Sequence, residues 1–228
     1  MKIRYFGHAC VQLEMDGTLV LFDPFITGNP LAGHIDIMQV QADYILISHA
    51  HADHVGDLEL IQKTTQAQVV AVVETADWAE SIGVPQEKIV GMNFGGTMFT
   101  TFGKAKMVYA LHTNATPDGG YGGQPVGYVL EGAGKRVYFA GDTALTLEMK
   151  LLADDPLDLA FLPIGDFFTM GVEDAIKAAK FIQCNHIIGI HYDTFPPIKI
   201  DKAEAIAKFG EAGIHLELME IGQELVIA

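Results

Sequence analysis

Cysteine is nearly absent: Cys10 and Cys184 are the two in 228 residues, and they have no paired spacing. That argues against a disulfide framework and for a reducing compartment, with both thiols expected buried and free. Basic residues are scarce too. Fourteen Lys and Arg face 29 Asp and Glu, a formal charge of −15, which weighs against a nucleic-acid partner held through phosphates. Lys104, Lys106, Lys135 and Arg136 accordingly read as solvated strand ends rather than a basic stripe. No apolar run approaches membrane-spanning length. Arg4, His8 and Glu14 interrupt the N-terminal apolar pattern, so no signal peptide is expected and the chain reads as cytoplasmic. What is plentiful is apolar residues, half of the total, together with 24 glycines. That is the makeup of a compact, turn-rich protein, and one domain over residues 1–228 is the expectation.

Strand-like runs open the chain at Ile3 to Phe6, Val11 to Glu14 and Leu19 to Phe22. Tyr44 to Ser48 is a continuous apolar run of the kind buried on both faces. Leu58 to Lys63 begins a helical pattern, a strand follows at Val69 to Val73, and Thr75 is a candidate N-cap for a helix through Ser81. Antiparallel strands are expected at 97–102, 106–111, 127–130 and 136–139. The last third alternates strand (Leu159 to Leu162), helix (Val172 to Ile182), strand (Ile187 to Ile190) and helix (Lys202 to Phe209), with further strands near Leu216 and Leu225. Meanders joined to strand–helix alternation predict an α/β protein whose sheets pack together under outer helices.

Directly after the apolar run at 44–48 stands His49-Ala50-His51-Ala52-Asp53-His54. Three imidazoles and a carboxylate so crowded would repel or stay unsatisfied unless a shared partner gathered them. A divalent cation is the natural partner, zinc first by donor type. Residues two apart in an extended segment share a side, so His49 and His51 can meet one ion while Asp53 and His54, at the turn beyond, serve a second. Further donors are sought where a His or Asp ends an apolar strand, and three positions qualify: His112, Asp142 and His191. Each alone has a plainer reading, a hydrogen-bonded loop His or a Gly-Asp-Thr turn; together they point to one site.

The segment His49 to His54, followed in order by His112, Asp142 and His191, resembles the metallo-β-lactamase superfamily along nearly the whole chain. The resemblance implies a four-layer αββα sandwich with a dinuclear site. It implies His49, His51 and His112 on one ion, Asp53, His54 and His191 on the other, and Asp142 bridging. Phe6-Gly7-His8-Ala9-Cys10, the stretch Asp23 to Pro30, and His191-Tyr192-Asp193-Thr194-Phe195-Pro196 resemble the metal-dependent hydrolase branch similar to ascorbate-6-phosphate lactonase. Asp142 stands where many antibiotic-degrading members carry Cys, so antibiotic hydrolysis is not the expected role.

The expected activity is hydrolysis of an ester, lactone, thioester or phosphodiester of a small molecule by a hydroxide shared between two divalent ions, zinc or else manganese, iron or nickel. Asp53 would also help orient that hydroxide, the bridging Asp142 is counted with it among the catalytic residues, and His8 and Tyr192 are the candidate leaving-group acids. Two other classes stay open: an iron-dependent oxygenase or persulfide-type oxidoreductase on the same fold, and a non-enzymatic metal-binding sensor. A homo-oligomer is compatible with the chain. Asp23 has two readings, a buttress for the metal loop or a cap for the Pro24 turn. So has the glycine-rich segment 113–125, as a substrate-covering loop or a plain connection. His34, His186 and His215 belong to no motif, and Trp78 is expected to pack a helix onto a sheet.

Overall fold

The computed structural model describes residues 1–227. Its first sheet runs β14-β1-β2-β3-β4-β5-β6 and its second β13-β12-β11-β10-β9-β8-β7. The strands of the first are β1 (Lys2–Gly7), β2 (Cys10–Met15), β3 (Thr18–Phe22), β4 (Tyr44–Leu46), β5 (Gln68–Val72), β6 (Ile89–Met92) and the returning β14 (Glu224–Val226). Those of the second are β7 (Thr97–Thr100), β8 (Gly103–Tyr109), β9 (Val126–Gly132), β10 (Lys135–Phe139), β11 (Leu159–Pro163), β12 (His186–Ile190) and β13 (His215–Glu217). Each sheet is antiparallel through its early strands and parallel through its later ones, so the two halves of the chain repeat one plan. Helices α1 (Ala52–Val55), α2 (Leu58–Thr65) and α3 (Val73–Ser81) belong to the first half, α4 (Val172–Phe181) and α5 (Lys202–Glu211) to the second.

Period-two alternation builds the layers. Val20 and Phe22 of β3 and Val137 and Phe139 of β10 face the central core between the sheets, where the Phe22 and Phe139 rings stack 4.2 Å apart. Leu21 faces the other way, onto α2 and α3 with Ile61, Ala76 and Ala79. Tyr138 likewise joins Ala175, Ala179 and Phe209 of α4 and α5. Three stacked cores make a four-layer αββα sandwich, as expected from the sequence.

Boundaries moved in places. α3 begins at Val73, not at a Thr75 cap; Thr75 is buried inside the helix and donates its hydroxyl to Gly122 O at 2.7 Å. β4 stops at Leu46, leaving Ile47 to hydrogen-bond onward to Val70 O. β6 carries a half-exposed Ile-Val-Gly-Met pattern without strict alternation, so only its pairing with β5 defines it.

Candidate metal centre

β8, β10 and β12 run the same way in the second sheet, so His112, Asp142 and His191 leave it at one edge. The segment after β4 meets that edge from the first sheet: Val126 N donates to Ser48 O at 3.0 Å, and the Tyr128 hydroxyl reaches Ile47 O at 2.8 Å. α1 then starts at once, its first turn closed by His54 N to His51 O at 2.8 Å, which sets Asp53 and His54 on consecutive positions of one turn. Gly141 permits the close approach. It adopts φ +61, and a Cβ there would lie 2.6 Å from that of Ser48.

The structure brings all seven sequence-selected donors together, in two groups. The donor atoms of His49, His51 and His112 lie within 4.8 Å of one another, and so do those of Asp53, His54 and His191 with His8. Asp142 Oδ2 lies between the groups, 3.9 Å from His49 Nε2 and 3.6 Å from His112 Nε2 on one side. On the other it is 3.4 Å from His54 Nε2 and 3.0 Å from His191 Nε2. His54 Nε2 and Asp142 Oδ1 are buried and have no hydrogen-bond partner among the described residues. Buried polar atoms are rarely left so, and this donor set suits divalent ions in both groups.

Behind the donors is a polar shell. Asp23, fully buried, accepts from Ser48 N at 2.7 Å, Ser48 Oγ at 2.6 Å and His54 Nδ1 at 2.8 Å. Ser48 Oγ also lies 2.9 Å from His49 Nδ1. Of the two readings of Asp23, the buttress is therefore the one its contacts support. Asn114 accepts from Ala50 N at 2.7 Å and donates to Gly122 O at 2.6 Å, tying the base of segment 113–125 to the histidine loop. The tip of that segment is exposed at Tyr121.

Burial holds His49, His51 and His112 below the ordinary imidazole range, which keeps them neutral and able to ligate. Burial also disfavours the charged form of His54, but the Asp142 and Asp23 carboxylates outweigh it and hold His54 well above that range. Asp142 is the mirror case: burial would raise it, while His191 and His54 keep it ionised. Burial lowers His8 to about 4, so it is neutral near pH 7 and has no proton to give a leaving group as an imidazolium. Its Nε2 lies 3.2 Å from Asp53 Oδ2 and its Nδ1 2.9 Å from Thr194 Oγ1.

Tyr192, the other candidate acid, is not brought to the cluster. Its hydroxyl donates to Met219 O at 3.5 Å and Lys202 Nζ lies over its ring. Burial raises its pKa further. Ser48 and Thr194 were not singled out from sequence. Each stands within three residues of a donor, the available signal, but hydroxyls there are too common to discriminate.

The sandwich and its two-group donor cluster define a metal-binding protein of the metallo-β-lactamase type. A family model described as beta-lactamase superfamily domain matches residues 2–191. A UPF0173 metal-dependent hydrolase of Flavobacterium johnsoniae is 49% identical over 99% of both chains. One from Thermus thermophilus is 45% identical over 99% of this chain and 98% of its own. The solved structure of Igni18, a novel metallo hydrolase from Ignicoccus hospitalis, matches with a TM-score of 0.86 and 32% identity, covering 98% of this chain and 97% of that one. The chain belongs to the UPF0173 metal-dependent hydrolases of the β-lactamase superfamily. No helix among the described residues is long and apolar enough to cross a membrane.

Proposed function

We propose that the protein hydrolyses a small-molecule ester, lactone, thioester or phosphodiester with two divalent ions, zinc by donor type. The observation that carries this reading is the Asp142 carboxylate, with one oxygen facing imidazole nitrogens of both donor groups. His49, His51 and His112 would hold one ion, Asp53, His54 and His191 the other, with Asp142 shared. When bound, such a pair activates water as nucleophile and polarises the substrate oxygen. The chain's own part is to fix the donors. Asp23 and Ser48 hold His54 and His49 from behind, Asn114 holds the loop at Ala50, and the partly exposed His51, Asp53 and His112 leave one side open. Residues 1–228 would act as one catalytic domain, since both sheets contribute to the central core. The buried free thiols of Cys10 and Cys184 suit a reducing cytoplasm.

The test is to strip the protein with chelator, reload it with zinc, manganese or iron(II), and measure bound metal, turnover of the four bond classes and oxygen uptake. Two ions per chain and metal-dependent hydrolysis are expected, with melting temperature falling on stripping. Each site filled at 100 times its Kd stabilises by about 2.7 kcal/mol. Oxygen uptake with iron and no hydrolysis would assign the oxidoreductase reading instead. Bound metal with no turnover of any kind would leave the sensor.

Exposed apolar residues at the same sheet edge support a substrate with an apolar group. Leu111, Leu147, Phe167 and Phe168 are exposed on the segments that follow β8, β10 and β11. Asp166 and Phe167 both take left-handed backbone, φ 60 and 56, a strain of about 1–3 kcal/mol each that persists only where the surroundings impose it. Here Met170 N donates to Thr143 O at 3.1 Å, pinning the loop beside Asp142. A substrate with an apolar group next to the scissile bond fits this rim. The Phe167→Ser/Phe168→Ser variant should lose about tenfold in kcat/KM on an octanoyl ester, roughly 1.4 kcal/mol of apolar burial, and stay within about twofold on the acetyl ester. Equal losses on both esters would sink the idea.

A further inference from the structure

The dinuclear reading uses five histidines and leaves His8 unexplained. His8 is 1% exposed and sits at the turn between β1 and β2 with φ +55, a left-handed conformation that costs a non-glycine residue about 1–2 kcal/mol. It is held there from several directions. Thr194 Oγ1 lies 2.9 Å from Nδ1, the Tyr5 hydroxyl donates to its carbonyl at 3.1 Å, and the edges of Phe25 and Phe195 approach its ring at 5.6 Å.

What it reaches is selective. Asp53 Oδ2, a carboxylate oxygen that can only accept, lies 3.2 Å from Nε2 and so draws the ring proton to that nitrogen. That leaves Nδ1 beside the Thr194 hydroxyl, which also reaches Tyr192 O at 3.4 Å. The His8 carbonyl accepts the backbone N–H of His191 at 2.8 Å, and the two rings lie 4.0 Å apart. His191 itself takes a left-handed φ of 56, so that backbone bond holds a strained ligand position. Asp53 and His191 belong to the same donor group. His49, His51 and His112 instead neighbour one another, with Ser48 Oγ beside His49 and Thr113 Oγ1 beside His51, and none of them touches His8. The His54 ring lies 4.1 Å from that of His49.

We propose that His8 is a positioning residue for the second ion alone: its side chain orients Asp53, its backbone carbonyl holds His191, and without the side chain the second ion binds more weakly while the first does not. This rests on the dinuclear reading above. Orientation of ligands by such neighbours changes metal affinity about 10- to 100-fold, enough to separate two ions that the first group and Asp142 would otherwise fill together.

The experiment is titration of the stripped full-length protein with cobalt(II), followed by calorimetry, bound-metal analysis and visible absorption. Wild type should bind two ions. His8→Ala should bind the first within about twofold of wild type and the second about 10- to 100-fold more weakly. His8→Gln, whose amide can donate to Asp53, should recover part of the loss. Thr194→Val, which keeps the shape and removes the hydroxyl, should weaken the second ion in the same sense; these two variants carry the test if His8→Ala does not fold. At saturating cobalt the His8→Ala spectrum should overlay that of wild type, because no ligand has been removed. A changed spectrum at saturation would make His8 itself a ligand and overturn the positioning role. Equal weakening of both ions, or none, overturns it as well. A wild-type chain that takes one ion defeats the dinuclear reading, an outcome visible before any variant is made.

Discussion

Asp142→Ala is expected to leave the protein unable to retain either ion and to lower kcat/KM by about a thousandfold or more, roughly 4 kcal/mol of transition-state stabilisation. The reason is position. One carboxylate oxygen lies 3.0–3.9 Å from imidazole nitrogens of His191, His54, His112 and His49, and the residue is 2% exposed. Removing it takes the shared anion from both donor groups and leaves several imidazoles facing one another across a buried gap. Asp142→Asn separates charge from shape: it fills the same space without the anion, so the same metal loss is expected. Bound metal and kcat/KM, measured with a melting curve to confirm folding, decide the matter. An Asp142→Asn protein that holds two ions and turns over normally would refute the bridging assignment.

Asp23→Ala should be nearly as damaging, by another route. Asp23 has an oxygen within 4.8 Å of donor atoms of His49 and His54, but its two oxygens are taken by Ser48 N, Ser48 Oγ and His54 Nδ1, so it supports the ligands from behind. Truncation leaves these buried donors unpartnered, with an expected cost of about 3–5 kcal/mol in stability. It also frees His54 to rotate, which should weaken the second ion about 10- to 100-fold. Asp23→Asn is the informative companion. Asn tolerates the φ of 41 seen here and its single carbonyl oxygen can still accept, so the fold should survive while one or more of the three donors goes unsatisfied. Intermediate metal affinity with near-normal melting is the expected result. Normal metal binding in both variants would show that His54 needs no support.

Local pattern made much of the architecture legible. Alternation in Thr18–Phe22 and Lys135–Phe139 marks residues for the central core and for the outer layers, because a strand's side chains take opposite faces in turn. The apolar run before His49 and the runs before His112, Asp142 and His191 announce strand ends, where side chains are free to converge. Less local features did not show. β6 has a glycine and half-exposed neighbours, and only its pairing with β5 makes it a strand. Thr75 has the chemistry of a cap, yet burial against Gly122 outweighed that propensity and the helix started three residues earlier, with Val72 in the cap position.

The candidate site divides the same way. By itself the sequence determined which atoms are available: five imidazoles and two carboxylates, each just past an apolar run, in an order that resembles one superfamily. Only the tertiary structure decided how they share the work. It placed Asp142 between the two groups, Asp23 behind His54 and His8 against Asp53 and His191, and it turned Tyr192 away toward Met219. Donor type is a property of a residue, and strand ends follow from nearest-neighbour patterning. Which side chains meet across a cleft depends on strand direction, register and the turn each residue sits in. Those are set by pairings between strands tens of residues apart and by packing between the two sheets, as in the contact of His8 with Thr194.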